Sequence, residues 1–268
     1  MAQELIYVYC VTQKEPNFKD LDVSNNAYAV GHNDLYAVVR KVSEDEFNEE
    51  NLKKSLSDMN WVEPKAREHI KIINQTMETS TIIPFKFGTI FKTEDSLKKM
   101  LEDYSQQLKD NIVKLDGKEE WSLKLYCNFK VLNEKIAQIN EKIKQLDQEI
   151  SSSSPGKAFF LMKKRDELVK DEVCRAINEY GQYCFEKLKD CAQEARINKL
   201  LPKEVTERND EMILNSAFLI NKDKVGDFLK IAEGLRTKYT DKGLFFDCTG
   251  PWPPYNFCNL SKEKEQSG

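Results

Sequence analysis

The sequence predicts an α+β fold in two domains, the C-terminal one a ferredoxin-like sandwich bearing a long antiparallel coiled-coil hairpin. Three observations predict it. Short runs of β-branched and aromatic residues alternate with polar ones near both ends of the chain. Between them, Phe129, Leu132, Ile136, Ile139, Ile143, Leu146 and Ile150 recur at alternating spacings of three and four. Beyond residue 118 the elements read strand, helix, strand, strand, helix, strand, which is the ferredoxin-like order. At 268 residues the chain has room for two ordinary domains.

The first domain is expected over 1–117. Leu5 to Val11 reads as a strand. Ala27 to Val30 and Leu35 to Val42 read as two more, broken by the turn signal Gly31-His32-Asn33-Asp34. Helices follow at Glu49 to Ser57 and at Pro64 to Glu78. In the second, Ala66, Ile70, Ile73 and Met77 keep helical spacing, and Pro64 suits a first turn. Thr81 to Phe85 and Thr89 to Phe91 are short strands around Gly88. Thr93-Glu94-Asp95 starts an amphipathic helix that ends near Asp116-Gly117.

The second domain is expected over 118–260, opening on a strand from Glu120 to Tyr126. The heptad seam from Phe129 to Ile150 is too narrow to be buried on several sides, so it predicts pairing with another helix. Ser151-Ser152-Ser153-Ser154-Pro155-Gly156 ends it, and a helix from Lys157 to Asn198 follows, placing the hairpin at about 129–198. The second helix is roughly twice as long as the first, so only its opening half can pair within the hairpin. Its apolar spacing drifts toward four after Tyr180, which predicts that the remainder leaves the hairpin and packs on the sheet. Lys203 to Arg208 and Met212 to Ile220 read as a β-hairpin, Asp223 as the cap of a helix reaching Lys238, and Leu244 to Asp247 as the last strand. The charged tail 261–268 is predicted disordered.

Composition narrows the chemistry. Charged residues make up 32% and apolar ones 40%, the net charge is −4, and no dense basic patch occurs, so no nucleic-acid footprint is present. No apolar run approaches the roughly 18 residues that span a bilayer, and no signal peptide is visible. Seven cysteines include no C-x-x-C pair. Cys10, Cys127, Cys174 and Cys248 lie in apolar surroundings, which reads as buried, reduced thiols of a soluble cytosolic protein. His32 and His69 are far apart, and no H-E-x-x-H, phosphate loop or nucleophile elbow occurs, so neither catalytic group, metal nor cofactor is predicted. His32 reads as solvated in its turn, His69 as a boundary residue of its helix. The acidic run Glu44, Asp45, Glu46, Glu49 and Glu50 reads as a solvated loop, because hard cations want converging ligands.

Two stretches carry more specific signals. Ile82-Ile83-Pro84-Phe85-Lys86-Phe87-Gly88-Thr89 is apolar and strand-prone, with one embedded lysine. It fits either a core strand whose lysine snorkels or an edge that accepts another strand. Near the C-terminus, Pro251, Pro253 and Pro254 force an extended path that carries Trp252, Tyr255 and Phe257. Such a path either seals its own domain or offers aromatic anchors to a partner.

The stretch Gly250-Pro251-Trp252-Pro253-Pro254-Tyr255-Asn256-Phe257 behind a strand resembles the GvpF/GvpL family of gas vesicle proteins. Three further stretches agree in order: Leu5-Ile6-Tyr7-Val8-Tyr9, Ile83-Pro84-Phe85-Lys86-Phe87-Gly88-Thr89, and Ser154-Pro155-Gly156-Lys157-Ala158-Phe159-Phe160-Leu161. Together they span nearly the whole chain. The chain departs from the family pattern with Lys in place of Arg at 86 and 157, keeping charge without a planar fork of donors, and with Cys258 where a small aliphatic residue is usual.

The resemblance implies a non-enzymatic gas vesicle assembly protein, accessory or minor component, in the cytoplasm and associated with the vesicle. Its implied partners are the hydrophobic shell subunit and other accessory vesicle proteins. Phe85, Lys86, Phe87, Gly88, Thr89, Trp252, Pro253, Pro254 and Tyr255 are the candidate contact residues. Two rival readings stay open on sequence: a ferredoxin-like haem or small-molecule enzyme, which needs His69 at the mouth of an apolar cavity, and a generic coiled-coil adaptor, which needs the heptad face unpaired.

Overall fold

The computed structural model describes residues 4–18, 26–258 and 260. The tail 261–268, predicted disordered, lies outside the described residues. The chain divides into two compact units, 1–119 together with 252–268, and 120–251. The segment 252–260, expected with the second domain, therefore belongs to the first, because its buried side chains find their partners there.

The first unit runs β1 (Glu4–Thr12), β2 (Tyr28–His32), β3 (Leu35–Ser43), α1 (Glu44–Phe47), α2 (Glu49–Ser55), α3 (Met59–Thr79), β4 (Ile82–Pro84), β5 (Ile90–Phe91), α4 (Glu94–Asp103) and α5 (Ser105–Leu115). The sheet order is β2-β3-β1-β4, with β5 also on β1. Strand β1 is apolar on both faces because both are covered. Ile6 and Val8 pack with Leu97, Leu101 and Leu108 of α4 and α5. Leu5, Tyr7 and Tyr9 pack with Ile72 and Ile73 of α3. A bulge at Tyr9 shifts the β1–β3 register between Val8 and Cys10 and brings Cys10 to the α3 face as well.

Local chemistry moved several boundaries. Helix α3 starts at Met59 because the Asp58 side chain accepts from Asn60 N, which leaves Pro64 inside the helix rather than in its first turn. The single helix expected after Thr93 is two, separated at Tyr104. The start of the acidic run, expected as loop, forms α1, capped by Ser43, while α2, capped by Asn48, falls within the helix expected at Glu49 to Ser57.

The second unit runs β6 (Lys118–Cys127), α6 (Phe129–Ile139), α7 (Glu141–Ser151), α8 (Pro155–Lys189), β7 (Glu194–Ile197), α9 (Lys203–Thr206), β8 (Glu211–Asn221), α10 (Val225–Tyr239) and β9 (Leu244–Trp252); Lys118 and Glu119 of β6 and Trp252 of β9 fall to the first unit. Its sheet order is β7-β8-β6-β9. The heptad helix is broken at Asn140, whose side chain accepts from Lys142 N and Ile143 N and so caps α7. The break takes Ile139 out of the seam, 67% exposed, while Ile143 is fully buried. Leu132, Ile136 and Ile143 pack with Val169 and Val173 of α8. The pairs Glu149–Lys157 (2.8 Å) and Asp147–Arg165 (2.5 Å) step in opposite directions along α7 and α8. Farther along α8, Cys184, Phe185 and Leu188 pack instead with Leu123, Phe218 and Phe228 of the sheet and α10.

Four expectations fail here. Helix α8 ends at Lys189, and the residues expected to continue it form β7, which pairs with β8. Lys203 to Arg208 is not a strand, because Pro202 starts a short helix that Glu207 closes at φ 53°. Asp223 lies in a 3-10 turn before α10 and does not cap it. Cys174, expected buried, is exposed, because it follows Val173 onto the outward side of α8. Gly250 is required by close approach: a Cβ there would lie 2.7 Å from Cδ2 of Trp121.

Candidate functional site

The two motif stretches meet in the first unit on a buried polar network. Strands β4 and β5 pair with the same edge of β1, at Cys10–Thr12 and at Ile6–Tyr7. The chain between them loops out over Tyr7 and Tyr9 and is pinned at both ends: Phe85 N donates to Tyr9 O (2.9 Å) and Val8 N to Thr89 O (3.0 Å). Gly88 takes φ 80°, a conformation open to glycine, and its N–H donates to the Tyr7 hydroxyl at 3.2 Å.

His69 stands at the centre, on the inward face of α3 and 2% exposed. Its Nε2 lies 3.1 Å from the Phe85 carbonyl and 3.3 Å from the Tyr255 hydroxyl, and its Nδ1 lies 2.8 Å from the Tyr7 hydroxyl. A carbonyl only accepts, so Nε2 carries the proton and Nδ1 accepts from Tyr7. Tyr255 in turn donates to the Phe85 carbonyl at 3.3 Å. Beside this chain, Tyr9 donates to Glu68 Oε1 at 3.1 Å, and Glu68 is ion-paired with Arg40, whose guanidinium lies 5.5 Å from the Tyr7 ring centroid.

Burial sets the electrostatics. It depresses the His69 pKa to about 4, so the ring is neutral near pH 7. It pushes Tyr255 up to about 12 and raises Tyr7 and Tyr9 well above the usual phenol range. Tyr7 and Tyr9 also pack against the imidazole, with ring centroids 5.7 and 5.6 Å away. A neutral imidazole with both nitrogens engaged offers no lone pair to a metal and no free base. What it does is tie the C-terminal strap to the loop after β4. Among the described residues no group of three or more His, Cys, Asp or Glu side chains is arranged to hold a metal ion.

Of the nine predicted contact residues, Lys86 and Trp252 are exposed, Phe85, Phe87, Gly88, Thr89 and Tyr255 are half-buried, and Pro253 and Pro254 are buried. His69, read from sequence as a boundary residue, is buried instead, because it packs on Tyr7 and Tyr9 of β1 and the loop and the strap close over its remaining edge. Both of its ring nitrogens are engaged, so the haem reading loses its ligand. Tyr7, Tyr9, Arg40 and Glu68 were missed. The signal available was Tyr-x-Tyr in a strand otherwise wholly apolar, where two hydroxyls facing one way demand partners.

A family model described as "Gas vesicle synthesis protein GvpL/GvpF" matches residues 5–259. The chain belongs to the GvpL/GvpF family. It is 23% identical to gas vesicle protein L of Streptomyces sp. (strain CB03234), over 98% of this chain and 96% of that one. It is 25% identical to gas vesicle protein F of Microcystis aeruginosa (strain PCC 7806), over 72% and 76%. The fold matches the crystal structure of GvpF from Anabaena sp. PCC7120 with a TM-score of 0.73 at 20% identity, covering 97% of this chain and all of that one. The GvpF structure from Microcystis aeruginosa gives 0.66 at 20% identity. As a mixed helix and sheet protein, the chain shares the GvpF fold. No helix among its described residues is long and apolar enough to cross a membrane.

Proposed function

We propose that this GvpL/GvpF chain is a cytoplasmic, non-enzymatic assembly protein that binds the hydrophobic shell subunit while gas vesicles form. The family match over residues 5–259 carries the reading. A small, very apolar subunit needs a partner that covers it before it joins the shell, and such a partner needs apolar surface rather than reactive groups. The proposed contact is the loop after β4 and the start of the strap, through Lys86 and Trp252, with Phe85, Phe87 and Tyr255 half-buried beneath them. The His69 network supports this by holding both stretches in one shape before the partner arrives.

We also infer that the second unit is a ferredoxin-like sandwich and that α6, α7 and the first half of α8 form an antiparallel coiled hairpin. The order β7-β8-β6-β9 and the seam of Ile136 and Ile143 against Val169 and Val173 support it. On this reading the heptad face is satisfied within the chain, which removes the requirement of the generic adaptor.

The test is co-purification of the shell subunit with Lys86→Glu and Trp252→Ala, each beside its thermal midpoint. Both side chains are exposed, so unchanged midpoints with lost capture are expected. Full capture by both variants would remove this surface from the proposal.

A further inference from the structure

The first unit carries one segment that almost nothing holds down. Helix α2 has no buried residue, whereas α1 before it buries Phe47 and α3 after it buries His69, Ile72 and Ile73. The joints on either side, Asn48 and Asp58, have extended backbones. The hydrogen bonds and ion pair of residues 49–57 run to partners within 45–58, as in Asn51 Nδ2 to the Asp45 carbonyl (2.6 Å) and Lys53 to Glu49 (2.6 Å).

Its neighbours are fixed without it. Glu46 of α1 accepts from Trp61 Nε1 at 2.8 Å and pairs with Lys65 at 2.7 Å, which ties α1 to α3. The Asp58 side chain accepts from Asn60 N at 3.0 Å, so the first turn of α3 is capped independently of α2.

A single side chain anchors the segment. Of its two apolar residues, Leu56 is 46% exposed, while Leu52 reaches the loop after β4, where a Cβ on Gly88 would lie 3.5 Å from Leu52 Cδ2. Leu52 joins Phe87 and Trp61 at the margin of the core that holds Tyr7 and Phe47. On its other side lies an open groove of about 630 Å³ lined wholly by polar residues, among them Asp45, Asn51, Lys54 and Asp58, so no apolar wall backs the helix there. A helix of seven residues does not persist in water by itself. When Leu52 lets go, α2 melts.

We propose that residues 49–57 are a melting flap whose Leu52 fills an aliphatic seat against Gly88, and that an aliphatic side chain of the partner takes the seat when the flap opens. The seat lies on the loop assigned above to the shell subunit, so this half of the inference rests on that reading. The molecule itself selects the occupant: the group seated there is a leucine, set against a backbone position with no side chain and next to Phe87. Leu52 is a stand-in that keeps the seat out of water until a competitor arrives.

Hydrogen exchange followed by mass spectrometry on the full chain reads the flap with no partner present. Amides of 50–56 should exchange within about a hundredfold of an unstructured peptide, and those of 69–76 in α3 at least about tenfold more slowly than the flap. Leu52→Ser should abolish the flap's protection and leave α3 unchanged; Leu56→Ser should alter neither. In co-purification, Leu52→Ser should retain about threefold more shell subunit than the native chain, because the closed state no longer competes. A flap as protected as α3, or one whose protection survives Leu52→Ser, overturns the flap whatever the partner does. A weakly protected flap with equal or reduced capture by Leu52→Ser overturns the seat. If native chain and variant both capture nothing, the shell-subunit reading falls and the seat with it, while exchange alone decides the flap.

Discussion

The C-terminal strap and the hairpin tip are both aromatic stretches beside prolines, yet one is folded inward and the other stands in solvent. In the strap, Pro253, Pro254 and Phe257 are buried and Tyr255 places its hydroxyl on His69 and the Phe85 carbonyl. At the tip, Phe159 and Phe160 are both more than half exposed, with ring centroids 6.0 Å apart and a lysine over one ring. The difference lies in what each backbone can reach. The strap is extended, presents side chains to both sides and crosses a surface that holds the Phe85 carbonyl beside the imidazole, an acceptor for the Tyr255 hydroxyl. The tip is the first turns of a helix, whose inward side is taken by Ala158 and Leu161, so its neighbours are turned away. Aromatic content alone therefore says little about burial; a polar handle with a waiting partner decides it.

The comparison breaks most visibly in the hairpin beneath the tip. If the tip is surface on a firm support, Ile143→Asp should destabilise the second unit by about 4 kcal/mol, because it buries a charge. Ile139→Asp, one seam position earlier but outside the seam, should cost less than about 0.5 kcal/mol. Urea midpoints of the two variants test this, and equal losses would mean that the helix is continuous through Asn140.

The strap should respond to pH where the tip cannot. His69 titrates near 6.5 when unfolded and at about 4 when folded, so between those values the unfolded chain holds the extra proton. Its contribution is fully present above pH 6.5 and is lost as pH falls toward 4, up to about 3 kcal/mol at roughly 1.4 kcal/mol per unit. The stability difference between the native chain and His69→Gln should therefore shrink across that window. A constant difference would deny that the imidazole is neutral in the fold.

A smaller effect isolates the strap's polar handle. Tyr255→Phe removes one hydroxyl from a carbonyl that still receives the imidazole proton, so about 1 kcal/mol should be lost from the first unit. A fragment of residues 1–119 should melt below the same fragment supplemented with a peptide of residues 250–260. No gain from the peptide would put the strap outside that unit. Last, Phe160→Ser should leave the thermal midpoint within error, since its ring is already in water.

What the sequence determined was whatever a single period or a single local rule encodes. The packing of Leu132, Ile136 and Ile143 on α8, the turn of α8 onto the sheet after Tyr180, the strand Leu5–Val11 and the proline-forced strap are each local, and each is present in the structure. The four ordered motifs placed the chain in its family for the same reason. Boundaries failed where one side chain outbid the pattern: Asn140 capping α7 in mid-heptad, Asp58 starting α3 before Pro64, Pro202 turning a predicted strand into a helix. The four-residue β7 was illegible because a strand so short is stabilised by its pairing with β8 rather than by its own alternation. The role of His69 was decided only by tertiary structure. Its ring nitrogens find Tyr7 at 62 residues' separation and Tyr255 at 186, and nothing in the helix around it distinguishes a boundary imidazole from one that two distant segments close over. The exposure of Phe159 and Phe160 was equally invisible, because a pair of phenylalanines in a helix reads as core until the fold shows both rings more than half exposed.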